Sequence, residues 1–339
     1  MKTLRKAVLM GRIFMGYRAR RGRLRTMPIR IWIETSSVCN LRCVMCPNKS
    51  MPAADKGLMD VKLFRKVIDE VRDHVQDVYL HHRGEPLMHP DLFDMVSYAE
   101  KAGIRTRFHT NGTLLTEEKA RMLLDAGPSL VSFSIDGVDG ASYEAIRVGA
   151  SLKKTVGNVI GFLDLRRQRG STKPYVVVER IRFKNSAGSY SVDDEPVRRL
   201  REAGVDEVIE KEEYAWSIAD DAPVSPVPGP GVCTFPWYAT VICWNGKVLA
   251  CPQDYAGKLE MGNVAESSIA EIWNGQAYRD LRRRLAGDLS SLALCRGCDR
   301  LRRKTIAGIP WQYMLTFLTD QYVGYNSRLR RLIGTAERN

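Results

Sequence analysis

Eight cysteines are the residues of this 339-residue chain with the clearest capacity for chemistry. Three of them, Cys39, Cys43 and Cys46, stand in the spacing CxxxCxxC. Thiolates are the usual ligands of iron–sulfur clusters. Three thiolates that bind a [4Fe–4S] cluster would leave one of its four irons without a protein ligand. Such an open coordination position is what metal catalysis requires. The alternative is a structural zinc site, which would need a fourth ligand close by.

A second group of cysteines lies in the C-terminal half, at Cys233, Cys251, Cys295 and Cys298. Four thiolates can ligate one [4Fe–4S] cluster completely, or they can hold a zinc ion, and their spacing alone fits both. Cys243 is left over in an apolar run. We expect it to be a small buried side chain, with replacement of one of the four ligands as the alternative.

Strands and helices alternate along the part of the chain that must position the first group. The apolar patterns predict strands over 29–34, 75–82, 104–110, 130–136, 175–183 and 206–210, with helices over 60–73, 90–103, 116–127, 152–169 and 193–204. This α/β alternation predicts a parallel sheet with right-handed crossovers, either a partial barrel or a doubly wound sheet. Both place the active site at the carboxyl ends of the strands, where the first cysteine loop falls.

The Pro/Gly-rich stretch 222–231 marks a domain boundary. Beyond it, 238–251 predicts a hairpin in which Asn245 and Gly246 form a type I′ turn, and 268–286 predicts a helix. We therefore predict five units: a basic amphipathic helix in 1–27, an α/β domain in 28–215, a linker in 216–231, a cysteine-bearing domain in 232–305, and a basic, aromatic-rich helical segment in 306–339.

Further motifs follow the predicted strands in order. Gly84-Glu85-Pro86 comes after the second strand, Asn111 ends the third, and the fourth runs into Ser134 and Asp136, with Arg147 shortly after. Together with the cysteine loop, this order resembles the radical S-adenosylmethionine (AdoMet) superfamily, whose fold is a partial (β/α)6 barrel.

The resemblance implies that Cys39, Cys43 and Cys46 hold a catalytic [4Fe–4S] cluster whose open iron binds AdoMet. It implies that the cofactor is contacted by the residues of these motifs, together with Met45 near the adenine: Gly84, Glu85, Pro86, Asn111, Ser134, Asp136 and Arg147. Reductive cleavage would yield a 5′-deoxyadenosyl radical that abstracts a substrate hydrogen. Arg83 stands where the family motif has its first Gly, and its role stays open.

The second cysteine group resembles the SPASM extension and its shortened form, the twitch domain. With no cysteine after Cys298, the twitch form and one auxiliary [4Fe–4S] cluster held by Cys233, Cys251, Cys295 and Cys298 are implied. Its spacing is similar to that of aminocyclitol dehydrogenases in the family. We therefore expect oxidation of a small molecule, such as a sugar, a cyclitol or a lipid-linked compound. Peptide modification and a non-catalytic iron–sulfur protein are the alternatives.

The formal net charge of +13 is concentrated at the two ends of the chain. Residues 1–30 carry ten Lys and Arg and no acidic residue, whereas the body between the two ends is slightly acidic. We therefore expect no nucleic-acid partner, but contact of the basic ends with an anionic membrane or packing of the N-terminal helix on the body. Without an export signal or an apolar span, a reducing cytoplasm is expected, with flavodoxin or ferredoxin as the electron donor implied by the family.

Histidines gather near the ends of the second and third strands, at His81, His82, His89 and His109. They could serve as acid/base groups or as hydrogen-bonded structural residues. In the fifth strand, Glu179 and Arg180 must point to opposite faces, so we expect one of them to face the barrel interior.

Overall fold

The computed structural model of the chain describes residues 3–183, 194–212, 233–287, 292–296, 298, 301, 305–306 and 309–310. A nine-stranded sheet in the order β6-β5-β4-β3-β2-β1-β7-β8-β9 forms its centre. Its strands are β1 (Arg30–Ile33), β2 (Asp77–Tyr79), β3 (Arg105–Thr110), β4 (Leu130–Ser134), β5 (Tyr175–Arg182), β6 (Glu207–Glu212), β7 (Ala239–Ile242), β8 (Lys247–Leu249) and β9 (Glu260–Asn263).

Eleven α-helices accompany the sheet in the described part of the chain. They are α1 (Thr3–Arg18), α2 (Val61–Val71), α3 (Leu92–Lys101), α4 (Glu117–Ala126), α5 (Gly140–Ile146), α6 (Leu152–Gln168), α7 (Glu195–Glu202), α8 (Phe235–Tyr238), α9 (Ile269–Trp273), α10 (Gln276–Ala286) and α11 (Ala293–Arg296). Helix α2 is representative: Asp60 caps its first N–H groups, while Phe64, Val67, Ile68 and Val71 are buried at helical spacing.

Strands β1 to β6 are all parallel and pair in the order in which they occur in the chain. This arrangement is the partial α/β barrel, so the predicted fold class is confirmed and the doubly wound alternative is not. Every strand of the barrel ends at the same edge. The cysteine loop, the Gly84-Glu85-Pro86 turn and the residues after β3 and β4 therefore meet there.

The cysteine-rich C-terminal region adds three strands to the first edge of the barrel. Strand β7 pairs parallel with β1, and β8 and β9 follow as antiparallel strands. Residues 213–232 lie outside the described part of the chain, so the linker and the domain bounds stay predictions. A short antiparallel pair, β10 (Thr305–Ile306) with β11 (Ile309–Pro310), ends the described residues.

The predicted type I′ turn between β7 and β8 is wrong. The Cys243 N–H donates to the carbonyl of Lys247 and the Gly246 N–H to that of Cys243, so the loop has three residues, not two. A type I′ turn needs positive φ at both central residues. Here only Gly246 has it, at +85°, and Asn245 does not. Placing Gly246 at the third loop position removes the need for a second strained residue.

The predicted helix over 268–286 is two helices, α9 and α10. Asn274 separates them because its side chain pairs with a distant backbone, accepting from the Leu24 N–H at 2.8 Å and donating to the Leu24 carbonyl at 3.1 Å. Gly275 then caps α10. The helix α5 was not predicted, although Asp139 and Ser142 form a capping box at its start.

The N-terminal helix α1 ends at Arg18, well short of residue 27, where the predicted helical unit ends. Its residues Ile13 and Tyr17 are buried, and the Tyr17 ring meets that of Trp237 edge-on at 5.4 Å. Packing on the body is therefore observed, although Phe14 and Met15 remain exposed. Among the described residues, no helix has the length and apolarity that crossing a membrane requires.

Candidate active site

The loop with Cys39, Cys43 and Cys46 begins six residues after the end of β1 and is fixed by backbone hydrogen bonds. The Arg42 N–H donates to the carbonyl of Val148 at 3.0 Å, and the Val44 N–H donates to that of Ile146 at 2.9 Å. Ile146 is the last residue of α5, and Val148 follows two residues later. The unpredicted helix therefore holds the middle of the cysteine loop over the carboxyl edge of the barrel.

The structure brings these three thiols together. Burial, the largest cause, acts together with the nearby charges of Glu85, Cys43 and Cys46 to raise the pKa of Cys39 to about 12. Burial also raises the pKa of Cys43, although the Arg147 guanidinium opposes the shift. All eight cysteines of the chain are free thiols. Three neighbouring thiols on one short loop are a donor set that fits three irons of a [4Fe–4S] cluster.

The Gly84-Glu85-Pro86 turn packs directly on the chain that leads into the cysteine loop. A Cβ at position 84 would lie 2.3 Å from the Ser36 carbonyl oxygen, so only glycine fits. The buried Glu85 carboxylate accepts from the Asn111 N–H at 2.7 Å and from Thr110 Oγ1 at 2.6 Å. Glu85 therefore ties the end of β2 to the end of β3. Pro86 is buried at the start of a 3-10 turn over Pro86–Met88.

Asn111 binds the cysteine loop itself. Its Nδ2 donates to Asn40 Oδ1 at 2.9 Å, and Asn40 follows Cys39. Met45 is half-buried within the same loop. Ser134 ends β4 and pairs in register with Glu179 of β5. The candidate residues after β1, β2, β3 and β4 therefore all lie at one edge of the sheet, as the sequence predicted.

Asp136 and Arg147 form a buried ion pair with each other. Arg147 Nε lies 2.7 Å from Asp136 Oδ2, and Arg147 Nη2 lies 2.6 Å from the same oxygen. Arg147 Nη1 also donates toward Cys43 Sγ at 3.9 Å. Asp136 accepts from the Ile181 N–H at 2.7 Å as well. The pair joins α5, β5 and the cysteine loop, and the predicted contact of Arg147 with a cofactor carboxylate stays a prediction.

Inside the barrel, below the cysteine loop, lies a polar group formed by His81, His109, Glu179 and Lys211. The His109 N–H donates to His81 Nδ1 at 3.2 Å. His109 Nε2 lies 3.5 Å from Glu179 Oε1, and Lys211 Nζ lies 2.6 Å from Glu179 Oε2. Burial lowers the pKa of both histidines, so they are neutral near pH 7. The His109 side chain is 29% exposed, so its ring is partly accessible.

Of the pair in β5, one residue faces the interior, as alternation predicted, and the structure shows that it is Glu179. Arg180 lies on the other face, where Nη2 donates to the Gly137 carbonyl and to Asp194, both at 2.5 Å. His89 is structural, with Nε2 2.8 Å from the Met59 carbonyl and Nδ1 accepting from Asp91. His82 Nε2 lies 3.0 Å from the Pro252 carbonyl, so its contact is with the C-terminal region.

Arg83 and Tyr255 belong to the site, although sequence reasoning left the first open and missed the second. The Arg83 guanidinium binds the fully buried Glu34 through Nε and Nη2, each 2.7 Å from a carboxylate oxygen. The Tyr255 hydroxyl lies 3.4 Å from Cys46 Sγ. Tyr255 is only four residues after Cys251, and that short separation was the available signal.

The second cysteine group also converges. Cys233 precedes α8, Cys251 follows β8, Cys295 lies in α11, and Cys298 comes just after it. Burial raises the pKa of Cys233 far above its ordinary value, and the nearby charges of Cys251, Cys295 and Cys298 add to this. Four mutually close thiols are a donor set that fits one fully ligated cluster.

Cys243 lies apart from this group. It is 1% exposed and packs with Val241 and Leu249 on the inner side of the hairpin. Burial raises its pKa, and the next largest influence is the charge of Glu34. Its surroundings support the prediction of a small buried side chain.

A three-thiol loop at the catalytic edge of a partial barrel, with a four-thiol site beside it, defines an iron–sulfur enzyme with two centres. The family model of the radical SAM superfamily matches residues 33–160, and that of the SPASM iron–sulfur cluster-binding domain matches residues 233–299. The chain belongs to the radical SAM superfamily and carries a SPASM domain. Its cofactors are a catalytic [4Fe–4S] cluster with AdoMet and an auxiliary iron–sulfur cluster.

Similar proteins differ in what they act on. A tungsten-containing aldehyde ferredoxin oxidoreductase cofactor-modifying protein of Pyrococcus furiosus is 28% identical, with 73% of this chain and 81% of that protein covered. An AdoMet-dependent 2-deoxy-scyllo-inosamine dehydrogenase of Niallia circulans is 25% identical, with 81% and 94% covered. The structure of Streptococcus suis SuiB bound to its precursor peptide SuiA is similar in fold alone, with a TM-score of 0.59, 14% identity, and 86% and 75% covered.

Proposed function

We propose that this enzyme dehydrogenates an alcohol carbon of a hydroxylated small molecule. The observation that carries the proposal is the second four-thiol site, because a net two-electron oxidation needs an electron acceptor besides the AdoMet-derived radical. When bound, the catalytic cluster supplies the electron that cleaves AdoMet to the 5′-deoxyadenosyl radical, and the auxiliary cluster supplies an acceptor for one substrate electron. The carbinol carbon loses a hydrogen atom and an electron, and its hydroxyl group loses a proton.

The proton that the substrate hydroxyl loses can be accepted by the polar group inside the barrel. His109 is neutral because burial lowers its pKa, so it can accept a proton near pH 7. Glu179 lies 3.5 Å from its Nε2 and stabilises the imidazolium that results. Lys211 holds the Glu179 carboxylate from the other side. A hydroxyl bound against His109 would thus have both a hydrogen-bond partner and a base.

The ligand assignments follow from the two groups of thiols. We assign Cys39, Cys43 and Cys46 to the catalytic cluster and Cys233, Cys251, Cys295 and Cys298 to the auxiliary cluster. The assigned AdoMet-contacting residues are those that meet at the carboxyl edge of the barrel: Met45, Gly84, Glu85, Pro86, Asn111, Ser134, Asp136 and Arg147. Since Asp136 and Arg147 are bound to each other, we expect them to act as a unit.

The substrate class rests on the relative of Niallia circulans, whose name gives an aminocyclitol substrate, and on the polar barrel interior. Peptide modification is the second candidate, supported by a maturase relative of 25% identity, Mycofactocin maturase MftC. We propose reduced flavodoxin or ferredoxin as the electron donor and the reducing cytoplasm as the compartment. A lipid-linked substrate and contact of the basic ends with an anionic membrane stay predictions, tested by flotation with anionic liposomes.

The test uses the full-length protein reconstituted with iron and sulfide. Iron content should be about eight per chain and fall to about four when Cys39, Cys43 and Cys46 are all replaced by Ala. The wild type should form 5′-deoxyadenosine from AdoMet, and the triple variant should form none. Cyclitols and sugars deuterated at the carbinol carbon, 2-deoxy-scyllo-inosamine first, should pass deuterium into 5′-deoxyadenosine and yield a ketone.

Three results would oppose the proposal at different points. An iron content of about four per chain in the wild type, falling to zero in the triple variant, would refute the auxiliary cluster. AdoMet left intact after reduction would support a non-catalytic iron–sulfur protein. Deuterium transfer from peptides alone, with none from any cyclitol or sugar, would favour the second candidate.

A further inference from the structure

The Tyr255 hydroxyl lies between the two halves of the molecule. Its oxygen is 3.4 Å from Cys46 Sγ and 2.9 Å from the Arg83 carbonyl oxygen, to which it donates. The Tyr255 residue is 4% exposed, so its contacts are made with the protein interior. It therefore brings a polar group of the C-terminal region to one of the three catalytic thiols.

The protonation state of Cys46 decides which group can donate the hydrogen bond between Tyr255 and Cys46. As a free thiol, Cys46 carries a hydrogen that it can give to the tyrosine oxygen. As a metal-bound thiolate it has none, because thiols bind metal in the deprotonated form. A hydrogen bond between the two groups can then come only from the Tyr255 hydroxyl.

The Arg83 carbonyl oxygen does not need the Tyr255 hydroxyl as its only hydrogen-bond donor. It also accepts from Asn48 Nδ2 at 2.7 Å, and the same Asn48 amide donates to the Ser37 carbonyl at 2.8 Å. If the Tyr255 hydroxyl turns toward the sulfur, the carbonyl keeps a strong donor. The local cost of the rotation is therefore small, since no buried acceptor is left unpaired.

The position of the ring is fixed from several sides. Arg83 Nη1 donates to the Tyr255 carbonyl at 3.4 Å, while the same guanidinium is held by the buried Glu34. His82 Nε2 lies 3.0 Å from the carbonyl of Pro252, in the loop between Cys251 and Tyr255. Arg83, where the family motif has its first Gly, thus helps to hold Tyr255 beside Cys46.

We propose that Tyr255 donates its hydroxyl hydrogen to the Cys46 thiolate of the catalytic cluster and thereby raises the reduction potential of that cluster. Hydrogen bonds to cluster sulfurs stabilise the more negative, reduced state. The residue is a positioning and tuning residue of the catalytic cluster that belongs, in the chain, to the loop of the auxiliary ligand Cys251. The inference rests on the proposed ligation of the catalytic cluster by Cys46.

The test replaces Tyr255 by Phe, which removes one oxygen atom and keeps the ring. Redox titration of the reconstituted full-length protein, followed by electron paramagnetic resonance, gives the midpoint potentials, and AdoMet addition identifies the catalytic signal. We expect a more negative midpoint in Tyr255→Phe. Tyr278→Phe is the matched control, because Tyr278 is also buried but donates to Thr240 at 2.7 Å, and its catalytic midpoint should equal that of wild type.

A second variant tests the same contact in the opposite direction. Difluorotyrosine at position 255 has a more acidic hydroxyl and should raise the midpoint above that of wild type. If the Phe variant loses iron, this variant alone decides, and an unchanged midpoint in it overturns the proposal. An unchanged midpoint in an iron-replete Phe variant overturns it as well. A wild type whose signal AdoMet does not alter would instead refute the proposed function.

Discussion

The two cysteine sites of this enzyme are organised in different ways. The thiols that we assign to the catalytic cluster lie within one loop of eight residues, Cys39 to Cys46, and that loop is fixed by its immediate neighbours at the carboxyl edge of the barrel. The thiols that we assign to the auxiliary cluster, those of Cys233, Cys251, Cys295 and Cys298, come from separate parts of the chain. A short loop needs only anchoring, whereas dispersed ligands need several elements packed in the right places.

This difference indicates which contacts each cysteine site depends on, and therefore which substitutions should disrupt it. Around the catalytic loop, buried polar pairs such as Asp136 with Arg147 hold a few neighbouring segments together. Around the auxiliary site, long-range contacts do the equivalent, such as Arg282 of α10, which binds the Pro236 carbonyl of α8. We therefore expect single substitutions to remove one site while the other still assembles.

The largest effect should come from Arg147→Met. The change leaves the fully buried Asp136 carboxylate without its cation, and breaking such a pair costs about 3–5 kcal/mol of unfolding free energy. Urea unfolding measures this cost, and reconstitution should show selective loss of catalytic iron. Arg121→Met is the control, because its pair with Glu117 is exposed and should cost little. Equal losses in both variants would contradict the prediction.

Gly84→Ala should come next. Its Cβ would meet the backbone of Ser36, Ser37 and Val38 at 2.3 to 2.6 Å, so the turn must move off the cysteine loop. We expect a loss of about 3 kcal/mol by urea unfolding. Gly161→Ala, in α6, meets no atom within 4 Å and should stabilise the protein by about 0.5–1 kcal/mol. The prediction is wrong if Gly84→Ala and Gly161→Ala change the free energy of unfolding in the same direction.

The auxiliary site is tested by Arg282→Met. Arg282 is fully buried, with Nε 2.7 Å from the Pro236 carbonyl and Nη1 2.8 Å from the Gly22 carbonyl. Losing these bonds should cost about 2 kcal/mol and displace α8, which follows Cys233. Iron should fall by half, with the AdoMet-sensitive resonance signal retained. If that signal vanishes while the auxiliary one remains, the assignment of the two sites is reversed.

The smallest effect concerns pH and His81. Burial lowers its pKa well below the ordinary 6.5, so the unfolded chain takes up a proton that the folded chain does not. Stability should therefore fall as pH drops below 6.5, by at most about 1.4 kcal/mol per pH unit from this group. His81→Gln should flatten the dependence, measured by urea unfolding from pH 7 to 5.

Local patterns in the sequence predicted much of the fold. The apolar periodicity placed the six barrel strands and most of the helices within a few residues, because each element buries one face on the same sheet. It did not separate α9 from α10, since Asn274 interrupts that helix through a bond to Leu24, which is distant in sequence. It also misjudged the hairpin turn, because the three-residue loop depends on how β7 and β8 pair.

What the sequence by itself determined was the chemistry: thiols of the number and spacing that hold clusters, and the motif order of a radical SAM barrel. Residue spacing and motif order are read along the chain, so no tertiary contact is needed to recognise them. The tertiary structure alone decided that Glu179 and not Arg180 faces the barrel, that Arg147 is bound by Asp136, and that Tyr255 touches Cys46. These contacts join residues far apart in the chain, and only the packing of the elements brings them within hydrogen-bonding distance.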